Sequence, residues 1–204
     1  MGKSGKRLKI TKTPSLSRLT ISALFTALIA ILAQFAVPLP FSPVPVTGQV
    51  IGVFVAGTLL GSRAGLLSIT AYLMLGAAGA PVFSLGRGGL HMLTGPSGGY
   101  LWGFIPAVYI IGLIMEKSKE PSIFSITASM LLALSFIYLC GALQLALIMQ
   151  YTAGQVLAVG VIPFLPLDLL KTALAVFLSI RIKKSLQQNR LDHLFRDISG
   201  RRWI

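Results

Sequence analysis

Residues 19–37 read LTISALFTALIAILAQFAV, and the fold turns on what this run is. Lys3, Lys6, Arg7, Lys9, Lys12 and Arg18 precede it, as basic residues precede the apolar stretch of a secretory signal. A signal's apolar stretch is about 7–15 residues long. This run approaches the ~20 residues an α-helix needs to cross ~30 Å of hydrocarbon. More greasy segments follow, so it is the first of a set of spans. Working outward gives six apolar segments: Leu19–Val37, Gln49–Leu60, Ala64–Ala80, Tyr100–Met115, Ile123–Gln150 and Pro166–Ile182. The second is short for a bilayer and is expected to be tilted, broken or shielded by neighbours. The fifth is long and is expected to tilt or project. No internal repeat is evident.

Composition agrees. Of the 204 residues, 54% are hydrophobic and only 11% charged, against about 25% charged in soluble domains. Most of this surface therefore has lipid as its solvent. The net charge of +13 raises the question of nucleic acid, but it sits in two tails, Lys3 to Arg18 and Arg181 to Arg202. Basic segments flanking spans are a topology signal, and no face combines basic and aromatic residues for base stacking. Cys140 lies in an apolar run without a basic neighbour and is a small core residue. His91 and His193 are too few and too separated for a metal motif.

The expected architecture is thus all-α. A basic tail (1–18) leads into a six-helix membrane domain (19–183), followed by a second basic tail (184–204). Placing both termini in the cytoplasm puts 16 of the 18 Lys/Arg inside, so charge asymmetry selects that orientation. Arg87 and Lys171 are the exceptions. Glu116, Glu120, Asp192 and Asp197 fall in cytoplasmic segments, leaving Asp168 as the acid of the membrane region.

The stretch PFLPLDLLKTALAVFLSI, residues 163–180, holds two of these three charges. Pro166 suits a first helical position, where its missing N–H costs little. Asp168 falls in the first turn, at the positive end of the helix dipole. Lys171 follows at i+3, on the same face. An ionised group in hydrocarbon costs about 2.5–3.5 kcal/mol even on lenient insertion scales. A self-neutralising pair between helices is one explanation. The other is a ligand site in which Asp168 supplies acceptors, Lys171 supplies donors, and Arg87 from the same side leaves a net positive charge that a ligand carboxylate would balance.

Arg87 belongs to GRGGLHMLTGPSGGY, residues 86–100. A phosphate-cradling P-loop needs a lysine after its last glycine, and a dinucleotide fingerprint needs G-x-G-x-x-G after a strand; neither pattern is present. Irregular backbone at a membrane is tolerated where it lines a cavity. The glycines, Gly88 and Gly89 among them, would let backbone approach a ligand. The preceding connection, PLPFSPVPVTGQ (38–49), is expected to be a stiff extended cap over the same cavity. Gln49 is a polar candidate. Phe41, Tyr72, Phe83 and Tyr100 could pack an apolar ligand body, and His91 is more simply a loop residue bonded to backbone.

Four pieces in order, PVPVTGQ (43–49), GAAGAPVFSLGRGGL (76–90), GPSGGYLWGF (95–104) and PLDLLK (166–171), resemble the BioY family. These are the biotin-specific substrate-binding (S) components of energy-coupling factor (ECF) transporters. The resemblance covers residues 20–183. It implies a six-helix protein in a prokaryotic cell membrane that binds biotin from outside and tips over to deliver it. It also implies partners, a transmembrane coupling subunit and two cytoplasmic ATPases. Asp168, Lys171 and Arg87 match the family's acidic and basic ligands. Asp168 is assigned to a ureido N–H and Arg87 to the carboxylate, with Lys171 free to serve either end. Ala23 and Ala27 fit the family's small-residue docking motif, although internal packing would explain them too. The chain has no ATP-binding motif, so ATP use falls to the partner ATPases and no cofactor is expected here.

Two rival classes remain. A membrane-embedded enzyme would need a second carboxylate, a metal cluster or a nucleophile–base pair, none of which is visible. A lone ion-coupled carrier could load a proton on Asp168, but inverted repeats and broken helices are not apparent in the sequence.

Overall fold

The opening run forms α1 (Leu16–Gln34), displaced three residues toward the N-terminus from its expected bounds. The computed structural model describes residues 16–118 and 121–188. Most of the basic tails, with Lys119, Glu120, Asp192, His193 and Asp197, lie outside the described residues. After α1 the chain does stay extended, but it also pairs. β1 (Ala36–Leu39) and β2 (Ser42–Thr47) form an antiparallel hairpin with Ala36 opposite Thr47 and Leu39 opposite Ser42. This corrects the all-α expectation. Proline cannot donate to a ladder, and Pro38 falls at the irregularity between Val37 and Leu39, where no donor is required of it.

The second and third apolar segments are the two arms of one element, α2 (Gln49–Ala77). At Gly61 the backbone takes φ 77°, ψ −175°, a region open essentially to glycine alone, and the chain reverses. Gln49 Nε2 lies 2.5 Å from Tyr72 Oη. In a straight helix, rising ~1.5 Å per residue, they would be roughly 35 Å apart. Glu116 stitches the reversal. Its Oε1 accepts from the Ser62 N–H at 2.6 Å and from the Ser62 hydroxyl at 2.8 Å, so a carboxylate satisfies a donor at the start of the second arm.

α3 (Leu90–Thr94) is a short helix inside the glycine stretch. α4 (Gly98–Lys117) and α5 (Ile123–Met149) lie close to their expected bounds. The last segment is more elaborate than expected. α6 (Ala153–Val156) opens with a Thr152–Gln155 capping box and runs into a π-helical stretch, Leu157–Val161. α7 (Leu165–Gln188) follows. Residues Ala153–Val161 and Leu165–Leu186 meet at 46°, so a broken helix precedes Asp168, contrary to the reading that none was apparent.

α1 is tied to the second arm of α2 by Ser22 and Thr26, whose hydroxyls donate to the carbonyls of Ala64 and Ser68. Val53, Phe54, Ile69, Val108, Ile111 and Met130 are fully buried where α2, α4 and α5 meet. Outward faces are apolar as well, with Leu24, Phe124, Leu147 and Leu170 all exposed. α1, α2, α4 and α5 are long and apolar enough to cross a membrane, and the bent pair makes a fifth. Grease on both inside and outside, on helices of that length, makes this a mostly helical multi-pass membrane protein. One end carries the hairpin, the glycine stretch and α6; the other carries the Gly61 reversal and the link from α4 to α5.

Candidate functional site

At the loop-bearing end the elements enclose a cavity of about 590 Å³, counted with the open space at its mouth. Leu101, Phe104, Ile137, Phe164, Val44 and Val50 form its apolar wall. Asp168 and Lys171 are the charged residues among the described groups lining it. Asp168 is 6% exposed and starts the hydrogen bonding of α7, its amide donating to the Phe164 carbonyl at 2.8 Å. Lys171 Nζ donates to Asp168 Oδ1 at 2.8 Å, an ion pair one turn long. The Tyr138 hydroxyl, from α5, donates to Asp168 Oδ2 at 2.7 Å. Both carboxylate oxygens are therefore held, each with lone-pair capacity to spare.

Tyr100 stands beside this cluster and donates to the Gly160 carbonyl at 2.7 Å, so the π-helical stretch helps fix the wall. Elsewhere on the wall a hydrogen-bond chain orients Gln49. Its Oε1 accepts from Thr47 Oγ1 at 2.8 Å, and its Nε2 donates to Tyr72. Tyr72 in turn donates to the Val82 carbonyl at 3.1 Å and meets Phe83 edge-on. These bonds fix which end of the amide is oxygen and leave one N–H uncommitted. Gln34, at the end of α1, clasps the glycine stretch: its Nε2 donates to the Phe83 carbonyl and its Oε1 accepts from the Gly86 N–H. That clasp positions Ser84, which lines the cavity. Gln144 and Trp102 pin α3 through the carbonyl of Leu93, and Met92 of α3 lines the cavity.

Four of the expected residues thus meet on one wall: Asp168, Lys171, Gln49 and Tyr100. Three others do not line it. Arg87 is exposed and does not line the cavity; its backbone bridges to Phe83, whose N–H donates to the Arg87 carbonyl at 2.9 Å. Gly88 and Gly89 are required by packing. A side chain at Gly88 would collide with the Ala80 carbonyl. Gly89, at φ 102°, donates its N–H to the Gly76 carbonyl at 2.6 Å, pressing the stretch onto the end of α2. Gly98 and Gly99 face Gln144 and Cys140, allowing α4 to approach α5 closely. Phe41 and His91 are exposed, whereas Tyr72 and Phe83 are buried behind the wall. Ala23 and Ala27 face outward on α1, so internal packing does not use them.

With Arg87 off the wall, the lining charges are an opposed pair that sums to zero. Arg87, which would have supplied the surplus positive charge of the three-residue set, lies three residues along the chain from the lining residue Ser84. Tyr138, Thr47, Ser84, Ser97, Met92, Phe104 and Phe164 line the cavity without having been singled out from sequence. For Tyr138 a signal existed: a phenol in the middle of an apolar helix needs a partner for its hydroxyl.

The biotin transporter BioY of Thermotoga maritima is 39% identical over 163 residues, covering 80% of this chain and 94% of that protein. A probable biotin transporter BioY of Bacillus subtilis is 36% identical, with 80% and 89% covered. The crystal structure of the S-component for biotin from an ECF-type ABC transporter superimposes with a TM-score of 0.78 at 33% identity, over 86% of this chain and 95% of that one. These relatives are transporters by name, not enzymes. With the BioY family model matching residues 6–188, from ahead of α1 to the end of α7, this chain belongs to the BioY family.

Proposed function

We propose that the chain is a biotin-binding S component, loading its vitamin in the cavity at the head of α7 and delivering it with an ECF module. That module would comprise a transmembrane coupling subunit and two ATPases, in the cell membrane of a prokaryote. The names of the relatives and the fold match support this reading. The observation that carries it is the composition of the wall: one carboxylate, held between a lysine and a tyrosine, in a hollow lined otherwise by apolar and uncharged polar side chains. Biotin has a polar ureido ring, an apolar body and a single carboxylate. The ureido ring fits Asp168 and Lys171, the body fits Leu101, Phe104, Ile137 and Phe164, and the carboxylate is left toward the mouth and Arg87.

In this reading the chain crosses the membrane six times, by α1, the two arms of α2, α4, α5 and α7, with both termini in the cytoplasm. Arg63 and Lys117 stand by the Gly61 reversal and Lys183 near the far end of α7, while Arg87 is at the opposite end, as the positive-inside rule requires. Residues 49–60 span roughly 18 Å at ~1.5 Å per residue, short for a bilayer, and their burial among neighbouring helices shields them from lipid.

Calorimetric titration of the purified protein with biotin and with biotin methyl ester tests the proposal. The ester lacks the negative charge and is expected to bind roughly 10–100-fold more weakly, the worth of a hydrogen bond to a charged group. Asp168→Asn and Arg87→Ala are each expected to weaken biotin; unchanged affinity in both removes the assignment, and no binding of biotin at all removes the proposal. The 46° bend before Asp168 favours one alternative, an ion-coupled carrier acting alone. Uptake driven by a proton gradient in vesicles without ATPases would establish it.

A further inference from the structure

We infer that Tyr138 is a specificity residue of this cavity, reading a ligand N–H with its phenol oxygen; the inference rests on the biotin reading above. Asp168 Oδ1 accepts from the Lys171 ammonium at 2.8 Å, and a carboxylate in such an ion pair only accepts. The 2.7 Å contact between Tyr138 Oη and Asp168 Oδ2 therefore commits the single Tyr138 proton to Asp168. What the phenol can still offer the cavity is an acceptor. Lys171 has the opposite bias: one of its three N–H groups goes to Asp168 Oδ1, and the others remain as donors. All three residues line the cavity. The wall thus presents acceptor, acceptor and donor in one cluster, at Tyr138, Asp168 and Lys171. A cyclic urea presents the complement, two N–H donors flanking one carbonyl.

The origins of the three groups sharpen the point. Asp168 and Lys171 share a helix, so together they fix nothing about the width of the site. Tyr138 comes from α5 on a ring with few rotatable bonds, and it sets the spacing between the two acceptors. Its position is held by packing, since the Tyr138 side chain is partly buried against the helix core. A ligand that placed a carbonyl or ether oxygen against Tyr138 would oppose acceptor to acceptor. It would also leave a buried oxygen unsatisfied, the arrangement by which sites reject close analogues most strongly.

The test uses biotin and the two isomers that carry a methyl group on one or the other ureido nitrogen, titrated against the wild-type protein, Tyr138→Phe and Asp168→Asn in detergent. Wild type is expected to bind biotin roughly 10-fold or more tightly than either methylated isomer. Tyr138→Phe is expected to weaken biotin by roughly 10-fold or more and to narrow the discrimination against one isomer only. Asp168→Asn is expected to narrow it against the other. Tyr138→Phe binding biotin as wild type does, or weakening all three ligands by one common factor, overturns the inference. So does a wild-type protein that binds both methylated ureas as tightly as biotin, a result that needs no variant to fold. Failure of wild type to bind biotin in the same titration strikes the underlying reading instead.

Discussion

Asp168 and Lys171 were visible from sequence because an ionised group in an apolar run has few reasons to be there. Their geometry now sets a prediction about stability. Lys171→Met leaves the Asp168 carboxylate buried with Tyr138 as its remaining side-chain partner, and stability is expected to fall by on the order of 3 kcal/mol, the cost of breaking a buried pair from one side. The double variant Asp168→Asn, Lys171→Met removes the stranded charge. It should recover most of that loss in ligand-free thermal unfolding while still failing to bind biotin. A double variant no more stable than the single one would show that the pair is not electrostatically coupled. Other residues were harder to read for physical reasons. Tyr138 is mostly apolar surface with one polar atom, so an apolar run hides it. A charge in a loop faces no desolvation cost, so nothing in the sequence distinguishes an Arg87 on the wall from one that stands in water.

The reversal inside α2 was legible as the break Gly61-Ser62-Arg63 between two apolar segments, and the structure adds how it is held. A Cβ at Gly61 would lie 2.7 Å from Glu116 Oε1 and would have to adopt φ 77°. Gly61→Ala is therefore expected to cost about 1–3 kcal/mol. Glu116→Ala, which removes the cap from Ser62, should cost about 1 kcal/mol. The two act on one contact, so the double variant should lose less than the sum; strictly additive losses in thermal unfolding would mean the carboxylate and the glycine act independently. The hairpin β1–β2 was not legible, because four prolines in twelve residues argue against a ladder; the irregularity at Pro38 spares that one, Pro40 falls in the turn, and the β2 partners in the register are Ser42, Val46 and Thr47, not Pro43 or Pro45. The π-helical stretch was hidden for another reason: LAVGV is apolar throughout, and periodicity in so short a run does not separate one helix type from another.

At the scale of the molecule, α1 exposes a face that includes Ala23, Leu24, Ala27 and Leu28. Small residues there permit a partner helix to approach closely, and our proposal places the coupling subunit on this face. Ala23→Trp or Ala27→Trp is expected to leave biotin affinity within about twofold, since neither alanine lines the cavity, yet to abolish ATP-dependent uptake by blocking close packing. Uptake at wild-type rates would move the docking surface elsewhere. The membrane character, the charge asymmetry and the cavity's acid–base pair could all be read along the chain; how deep the cavity runs could not, because depth is set by which side chains of four elements fill the space beneath it.

That filling has an electrical consequence. Below Gln49, Phe104 and Lys171 the space is taken by Val53, Phe54, Val108, Ile111 and Ala175, none of them reached by solvent. Among the described residues this apolar layer offers a file of water molecules no polar partners, so the resting protein is expected to act as an insulator. Vesicles carrying many copies without partners are then expected to hold a proton or sodium gradient as long as protein-free vesicles do, and a faster decay would show a path through this layer.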